Sequence, residues 1–177
     1  PDGSITHYEN DKSISTSISH NSIWSLFKDK DGAIWAGTYY GGANVFHPTE
    51  NIFTYYPENT RGNSSVNFRV VGQVIEDENE NLYICTDGGG LNFYDRKNGT
   101  FSYYQSNSNL NSISGNNVKS LFWHGDSVLW VGTHRGGLNA FNVRSGEFKN
   151  YSIDEQKIDF ATEIYYITGI HENLLIA

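Results

Sequence analysis

Hydrophobic and polar positions recur along the chain with a period of 47 to 48 residues. Each period contains a short apolar run, a polar turn, a second run with an aromatic anchor, a glycine pair and two more short runs. The anchors Trp35, Tyr83 and Trp130 lie 48 and 47 residues apart. The segments around them read AIWAGTYYGGANVF, LYICTDGGGLNFY and LWVGTHRGGLNAF. A repeat of this length indicates stacked supersecondary units.

Each unit is predicted to contain four short antiparallel strands. Its first strand has apolar residues on both faces, which predicts cover on both sides. These residues are Ile23, Leu26 and Phe27, then Val71, Val74 and Ile75, then Val118, Leu121 and Phe122. Polar residues at 29–32, 77–81 and 124–127 then predict a hairpin into the anchor strand. No helical periodicity is present.

Small or flexible residues fall at fixed places in the unit. Gly37, Cys85 and Gly132 occupy one position of the anchor strand, which predicts close approach of a neighbouring backbone. Cys85 is then a small buried hydrophobe rather than a redox or metal residue. Asn51, Gly99 and Gly146 occupy one turn position, and these residue types best tolerate left-handed backbone.

Four antiparallel strands repeated at this period predict an all-β fold, a fragment of a β-propeller with four-stranded blades. We predict the last strand of a preceding blade at residues 4–8, followed by a connection to residue 20. Tyr8 supports this strand because it lies 48 residues before Tyr56. Complete blades are predicted at 21–66, 67–114 and 115–161, and a further blade begins in 162–177. The chain begins at Pro1 and contains no methionine, so we expect it to be part of a longer array.

Composition narrows the function classes. The net charge of −8 disfavours nucleic-acid binding, which needs a basic surface. The single cysteine excludes an intrachain disulfide, and the six histidines lack metal-ligand spacing. The acidic turn at 29–32 lacks the ligands of a calcium loop and is predicted to be a solvated turn. No cofactor, metal or catalytic residue is predicted.

The repeat resembles the two-component regulator propeller repeat. The first copy matches its pattern D-x-x-G-x-I-W-x-G-T-x-x-G-G-x-N from Asp29 to Asn44, and the third copy preserves most of it. The second copy departs, with Tyr83 for Trp and Cys85 for Gly. The resemblance implies a periplasmic sensor region of a Bacteroides-type hybrid two-component system, with oligosaccharides from glycans as ligands. Kinase activity would lie in other domains.

Two residues vary between the repeated threonine and the repeated glycine pair of each unit. In a propeller, the loop that contains them is expected to face the same end as the connections between blades, and loops held there on a rigid scaffold often bind ligands. Aromatic faces, a carboxylate and a guanidinium there would suit a sugar; the alternative is that they are ordinary loop residues. The candidate ligand-binding residues are Tyr39, Tyr40, Asp87, His134 and Arg135.

Other functions remain open from the sequence. A propeller enzyme such as a glycan lyase or sialidase would need acid and base residues converging in the central channel. A protein-interaction propeller would need an apolar patch. Beside an oligosaccharide, the expected partners are the remaining blades of the same sensor or a second copy. A homodimer would then close one ring of about seven blades.

Overall fold

A computed structural model of the chain describes residues 3–59, 61–109, 111–151, 163–170 and 173–177. Within these ranges the regular secondary structure consists of strands joined by turns. No helix in the described ranges is long and apolar enough to span a membrane.

In the described ranges, fourteen strands form three four-stranded sheets and one two-stranded sheet. Blade 1 contains β1 (Ile23–Lys28), β2 (Ile34–Thr38), β3 (Ala43–His47) and β4 (Ile52–Tyr56). Blade 2 contains β5 (Val71–Glu76), β6 (Leu82–Thr86), β7 (Leu91–Asp95) and β8 (Thr100–Tyr104). Blade 3 contains β9 (Val118–His124), β10 (Val128–Thr133), β11 (Gly137–Asn142) and β12 (Glu147–Tyr151). The last sheet pairs β13 (Ile167–Ile170) with β14 (Asn173–Ile176).

The predicted all-β propeller fragment is confirmed. In every blade the strands pair antiparallel in chain order, and one blade falls in each of the predicted intervals 21–66, 67–114 and 115–161. Strands β13 and β14 lie in the interval 162–177, where a further blade was predicted to begin. The first strands β1, β5, β9 and β13 lie side by side across the blades. They therefore form the inner wall of the fragment.

The core lies between blades rather than within one. One apolar cluster joins blades 1 and 2 through residues such as Val45, Val71 and Ile84. A second joins blades 2 and 3 through residues such as Cys85, Leu91 and Val131. A fully buried Val, Leu or Ile contributes about 1.5–3 kcal/mol. The stacking of neighbouring blades therefore supplies much of the stability.

The prediction that every first strand is covered on both sides is wrong for β1. The side chain of Leu26 is 70% exposed, whereas its equivalents Val74 and Leu121 are 4% and 2% exposed. Strands β5 and β9 each lie beside the first strand of a preceding blade, and β1 has no such neighbour among the described residues. This apolar position of the first strand is therefore buried only where a preceding blade covers it.

The strand predicted at residues 4–8 is also wrong, because residues 3–10 form no strand. A strand requires a paired neighbour, and no strand of a preceding blade lies in the described residues. The aromatic equivalence of Tyr8 nevertheless holds. Its ring packs on Phe46 and Phe53 at centroid distances of 4.9 and 5.5 Å. Tyr56 packs in the same way on the next aromatic pair, so Tyr8 occupies the position of a last-strand tyrosine without a strand.

One predicted backbone requirement is confirmed in all three blades, and the other is confirmed only in blade 1. At the position shared by Gly37, Cys85 and Gly132, Cys85 has a side chain, and a Cβ atom added to Gly132 would meet the side chain of Ile164 rather than backbone. A Cβ atom added to Gly37 would lie 2.7 Å from the carbonyl oxygens of Val71 and Gly72, so the backbone of blade 2 approaches that of blade 1 closely. The turn position shared by Asn51, Gly99 and Gly146 has positive φ in each blade. Steric cost restricts such backbone to glycine and a few polar residues.

The acidic turn at 29–32 is not a solvated turn at its first residue. The carboxylate of Asp29 is almost fully buried. Its Oδ1 atom accepts the backbone N–H of Ala33, and its Oδ2 atom accepts the indole N–H of Trp35. Oδ2 also accepts a hydrogen bond from Arg96 of blade 2. Tertiary partners that are distant in sequence replace the water expected around this carboxylate.

Candidate functional site

The loop between the second and third strands is fixed by its threonine. The hydroxyl of Thr38 accepts the backbone N–H of Gly41 and donates to the carbonyl of Gly42, both at 2.8 Å. Thr86 makes the same pair of bonds with Gly89 and Gly90 in blade 2. The threonines are buried, and their hydrogen bonds hold the loop backbone in place. The two variable residues of the loop remain at the surface.

A buried asparagine ties each connection between blades to the same end. The Oδ1 atom of Asn44 accepts the backbone N–H of Ser19, and its amide donates to the hydroxyl of Ser19. Asn92 bonds Asn67 in the same way in the next blade. The variable loops and the connections between blades therefore lie together, as predicted.

Three blades meet at this end around the side chains of Trp24, Tyr39, Asp87 and Lys119, which we call the channel-mouth cluster. The ring of Tyr39 stacks on Trp24 at a centroid distance of 4.9 Å and an interplanar angle of 28°. Tyr40 meets Tyr39 edge-on at 4.3 Å. Trp24 is 49% exposed and Tyr39 is 36% exposed, so both rings present surface to solvent.

An ion pair completes the channel-mouth cluster. The Nζ atom of Lys119 in β9 lies 2.7 Å from Oδ2 of Asp87 in the loop after β6. The same Nζ atom lies 5.7 Å from the ring centroid of Trp24 in β1, within range of a cation–π interaction. Lys119 therefore contacts residues of two other blades. The cluster combines aromatic surface with one positive and one negative charge.

The other two predicted residues lie in a separate group. The Nδ1 atom of His134 is 3.0 Å from the hydroxyl of Tyr165 and 3.7 Å from Oε1 of Glu163. Arg135 is exposed and lies 4.0 Å from the same carboxylate. Among the described residues, no hydrogen bond, ion pair or ring contact joins this group to the channel-mouth cluster. The structure thus brings Tyr39, Tyr40 and Asp87 together and leaves the remaining pair beside the start of the next blade.

Trp24 and Lys119 were not predicted, although the repeat contained a signal for them. They occupy equivalent positions of the first strand, directly after the apolar residues Ile23 and Val118. The equivalent of both in blade 2 is Gly72. A position that changes from Trp to Gly to Lys between repeated neighbours meets the criterion that selected the loop residues. Applied to the inner strands, that criterion would have found both.

No group of three or more His, Cys, Asp or Glu side chains that could hold a metal ion occurs in the described ranges. The channel-mouth cluster contains a single carboxylate, and that carboxylate is paired with Lys119. Its chemistry is therefore suited to binding through ring stacking and charged hydrogen bonds.

A known family model matches part of the first repeat. Residues 17–40 match the family model described as the two component regulator propeller. The resemblance is confirmed. The matched segment covers the end of the connection before blade 1, the first two strands of that blade and both loop residues Tyr39 and Tyr40. No curated protein matches the chain significantly.

Solved structures show the same fold. The extracellular domain of a hybrid two component system from B. thetaiotaomicron superposes with a TM-score of 0.82 at 21% identity, over 97% of this chain and 23% of that one. A second extracellular domain of this kind from B. thetaiotaomicron gives 0.74 at 23% identity, over 88% and 22%. The WD40 repeats of RRP9 give 0.61 at 12% identity, over 82% and 41%. The chain thus spans less than a quarter of the two bacterial domains.

Proposed function

We propose that the chain is a ligand-binding segment of the extracytoplasmic sensor of a hybrid two-component system, and that its ligand is an oligosaccharide. The family match and the similarity to bacterial extracellular domains support the sensor class and the location. The observation that carries the ligand class is the stack of Tyr39 on Trp24 beside the Lys119–Asp87 ion pair.

The channel-mouth cluster suits a sugar for a physical reason. The C–H faces of a sugar ring are apolar and pack on exposed aromatic rings, whereas its hydroxyls need hydrogen-bond partners. Trp24 and Tyr39 offer such faces, and Lys119 and Asp87 offer a donor and an acceptor nearby. A ligand carboxylate, as in an acidic sugar, would add a charged hydrogen bond with Lys119.

The proposed signal is a change in how the blades are arranged. The cluster takes residues from three blades, so a ligand bound there contacts all three at once. A ligand shifts an equilibrium between arrangements only if it binds one of them more tightly. The segment would therefore act by binding and rearrangement without chemistry of its own, and kinase activity would belong to other domains of the sensor.

A thermal-shift screen of the chain against a glycan library tests the proposal. A ligand that binds only the folded state raises the melting temperature with concentration. We expect a saturable oligosaccharide hit that is lost in Trp24→Ala and in Lys119→Ala. Tyr55→Ala, which removes an exposed ring outside the cluster, is the matched control and should retain the hit.

The outcomes separate the function from the site. A hit that persists in Trp24→Ala and Lys119→Ala but disappears in His134→Ala would move the site to the group beside Glu163. A library without a hit would overturn the oligosaccharide ligand and favour a protein partner.

A further inference from the structure

A groove lies between blades 2 and 3 at the end of the fragment opposite the channel mouth. It contains a cavity of about 580 Å³. Tyr83, Phe93 and Trp123 form its aromatic wall, with Tyr83 lying 4.9 Å from Phe93 and 5.4 Å from Trp123 between ring centroids. The indole N–H of Trp123 donates to the carbonyl of Glu76, which fixes this ring in place.

The groove is open because of one position in the repeat. Arg96 directly follows β7, and the equivalent residue directly after β11 is Val143. Arg96 reaches across to blade 1 and bonds Asp29 at 3.0 Å and Asp31 at 2.7 Å, so its side chain fills the groove between blades 1 and 2. Val143 is short and apolar, and it lines the cavity instead of filling it.

The acceptor that binds Arg96 has an equivalent in the open groove. Asp29 accepts the backbone N–H of the residue four positions later, Ala33, at 2.9 Å. Asp77 accepts that of Asn81, also at 2.9 Å, so the two turns share this hydrogen bond; the Oδ2 atom of Asp77 also accepts the side-chain amide of Asn81 at 3.1 Å. Within the described ranges, no ion pair reaches the carboxylates of Asp77, Glu78 or Asp126, all of which line the groove.

Two cationic side chains also line the groove and compete with any ligand. Lys30 is engaged, because its Nζ atom donates to the backbone carbonyl of Asp77 at 2.9 Å. Arg144 directly follows Val143 and is exposed. Glu76 is already paired with Arg96. Three carboxylates thus face two cations, so the groove retains a preference for positive charge.

We propose that this groove binds a small ligand that carries a guanidinium or ammonium group on an apolar stem. The cation would lie at the carboxylate of Asp77, and the stem would pack on Phe93 and Trp123, whose rings are partly exposed. Charge-assisted hydrogen bonds and cation–π contacts favour this arrangement. The pairing of Arg96 with Asp29 is the template within the same molecule. The inference does not depend on the oligosaccharide site.

Argininamide and its neutral analogue citrullinamide are the probes that test the groove. We expect argininamide to bind the chain saturably by calorimetry, and citrullinamide to bind at least about tenfold more weakly because it loses the charged hydrogen bonds. Val143→Arg should abolish binding, because the new side chain takes the place of the ligand. Val143→Ala is the matched control, since it leaves the groove open and should bind argininamide as the unchanged chain does.

A second variant is needed because the longer side chain introduced by Val143→Arg could disturb the packing around it. Asp77→Asn preserves an acceptor oxygen for the turn but removes the charge, and it should weaken argininamide binding about tenfold. Equal binding of the two probes, or binding unchanged in both Val143→Arg and Asp77→Asn, would overturn the proposal. Circular dichroism and melting temperature without probe establish that each variant is folded.

Discussion

The guanidinium of Arg96 in blade 2 lies 3.0 Å from the buried carboxylate of Asp29 in blade 1. These residues are 67 positions apart, and the bond joins two neighbouring repeats. Burial acts to lower the pKa of Arg96, but the hydrogen bond and charge of Asp29, together with Asp31 and Glu76, raise it. Burial raises the pKa of Glu76 in the same cluster. Blade stacking thus depends on a charged contact as well as on apolar packing.

We expect Arg96→Ala to lower the free energy of unfolding by about 3 kcal/mol, because it leaves the carboxylate of Asp29 buried without a cation. Urea unfolding of the chain at neutral pH measures the change. Arg61→Ala is the control, since Arg61 is exposed and forms no ion pair among the described contacts; its effect should stay within about 0.5 kcal/mol. Equal stability of both variants would show that the Arg96 contact does not hold the blades together.

The hydroxyl of Thr86 forms hydrogen bonds with the backbone of the loop between β6 and β7, and this threonine recurs in every blade. Thr86→Val has nearly the same shape, but it leaves the N–H of Gly89 without its acceptor and removes one of the two hydrogen bonds that the carbonyl of Gly90 accepts from Thr86. We expect a loss of about 2 kcal/mol in the free energy of unfolding. Thr54→Val, at an exposed position of β4, should change stability by no more than about 0.5 kcal/mol. A loss at Thr54 as large as that at Thr86 would contradict the role given to the loop.

Leu26 tests what covers the open side of blade 1. In the chain as described this side chain is mostly exposed, so Leu26→Lys should alter the free energy of unfolding by no more than about 0.5 kcal/mol. Leu121→Ala at the equivalent buried position should cost about 3 kcal/mol. Light scattering should give the same molecular mass for the unchanged chain and for Leu26→Lys. A twofold mass that Leu26→Lys halves would show instead that a second copy closes the ring.

Stability should fall at alkaline pH. Burial raises the pKa of Cys85, Tyr56 and Tyr83, so the folded state holds all three in their protonated forms. In the unfolded chain the thiol loses its proton near about pH 8.5 and the phenols near about pH 10. A group whose pKa is raised by folding stabilises the folded state at pH values below its pKa in the unfolded chain. This stabilisation is lost as the pH rises above that value. We expect the free energy of unfolding to be constant to about pH 8 and to decline above it.

Urea titrations between neutral pH and about pH 11 measure this decline. Cys85→Ala separates the groups, because it removes the part of the slope that begins near about pH 8.5 and leaves the tyrosine part. A stability that stays level through this range would show that the three groups are not buried in solution.

The fold was predictable from the sequence because each strand of a propeller blade pairs with strands that are next to it in the sequence. The hairpins of each blade join neighbouring strands, and turn residues such as Asn51 and Gly99 are constrained by their own φ angles. Stacking also limits side-chain size at one position of the anchor strand, as at Gly37, where a side chain would meet the backbone of the next blade. Repetition therefore revealed tertiary contacts that a single copy would have hidden.

Half of the candidate site was predictable. The variable loop residues stood out against repeated neighbours, and Tyr39, Tyr40 and Asp87 do meet at one end. Which loops converge depends on the rotation from blade to blade, and no local pattern encodes that rotation. The variation at Lys119 could mark that residue in the sequence, but only the arrangement of the blades shows that it contacts Asp87 and Trp24. The same arrangement places His134 and Arg135 beside Glu163 of the next unit.

The sequence by itself determined the strands and turns of the three blades, the order of the blades and the turn positions that require positive φ. Each of these follows from short-range sterics or from a demand repeated in every copy. The tertiary structure decided which apolar positions are buried, as the contrast between Leu26 and Leu121 shows. It also decided which charges are neutralised, as at Asp29, and which groove stays open, as at Val143. These outcomes depend on the side chains of the neighbouring blade. Burial and ion pairing each require two surfaces in contact, so the sequence of one blade does not determine them.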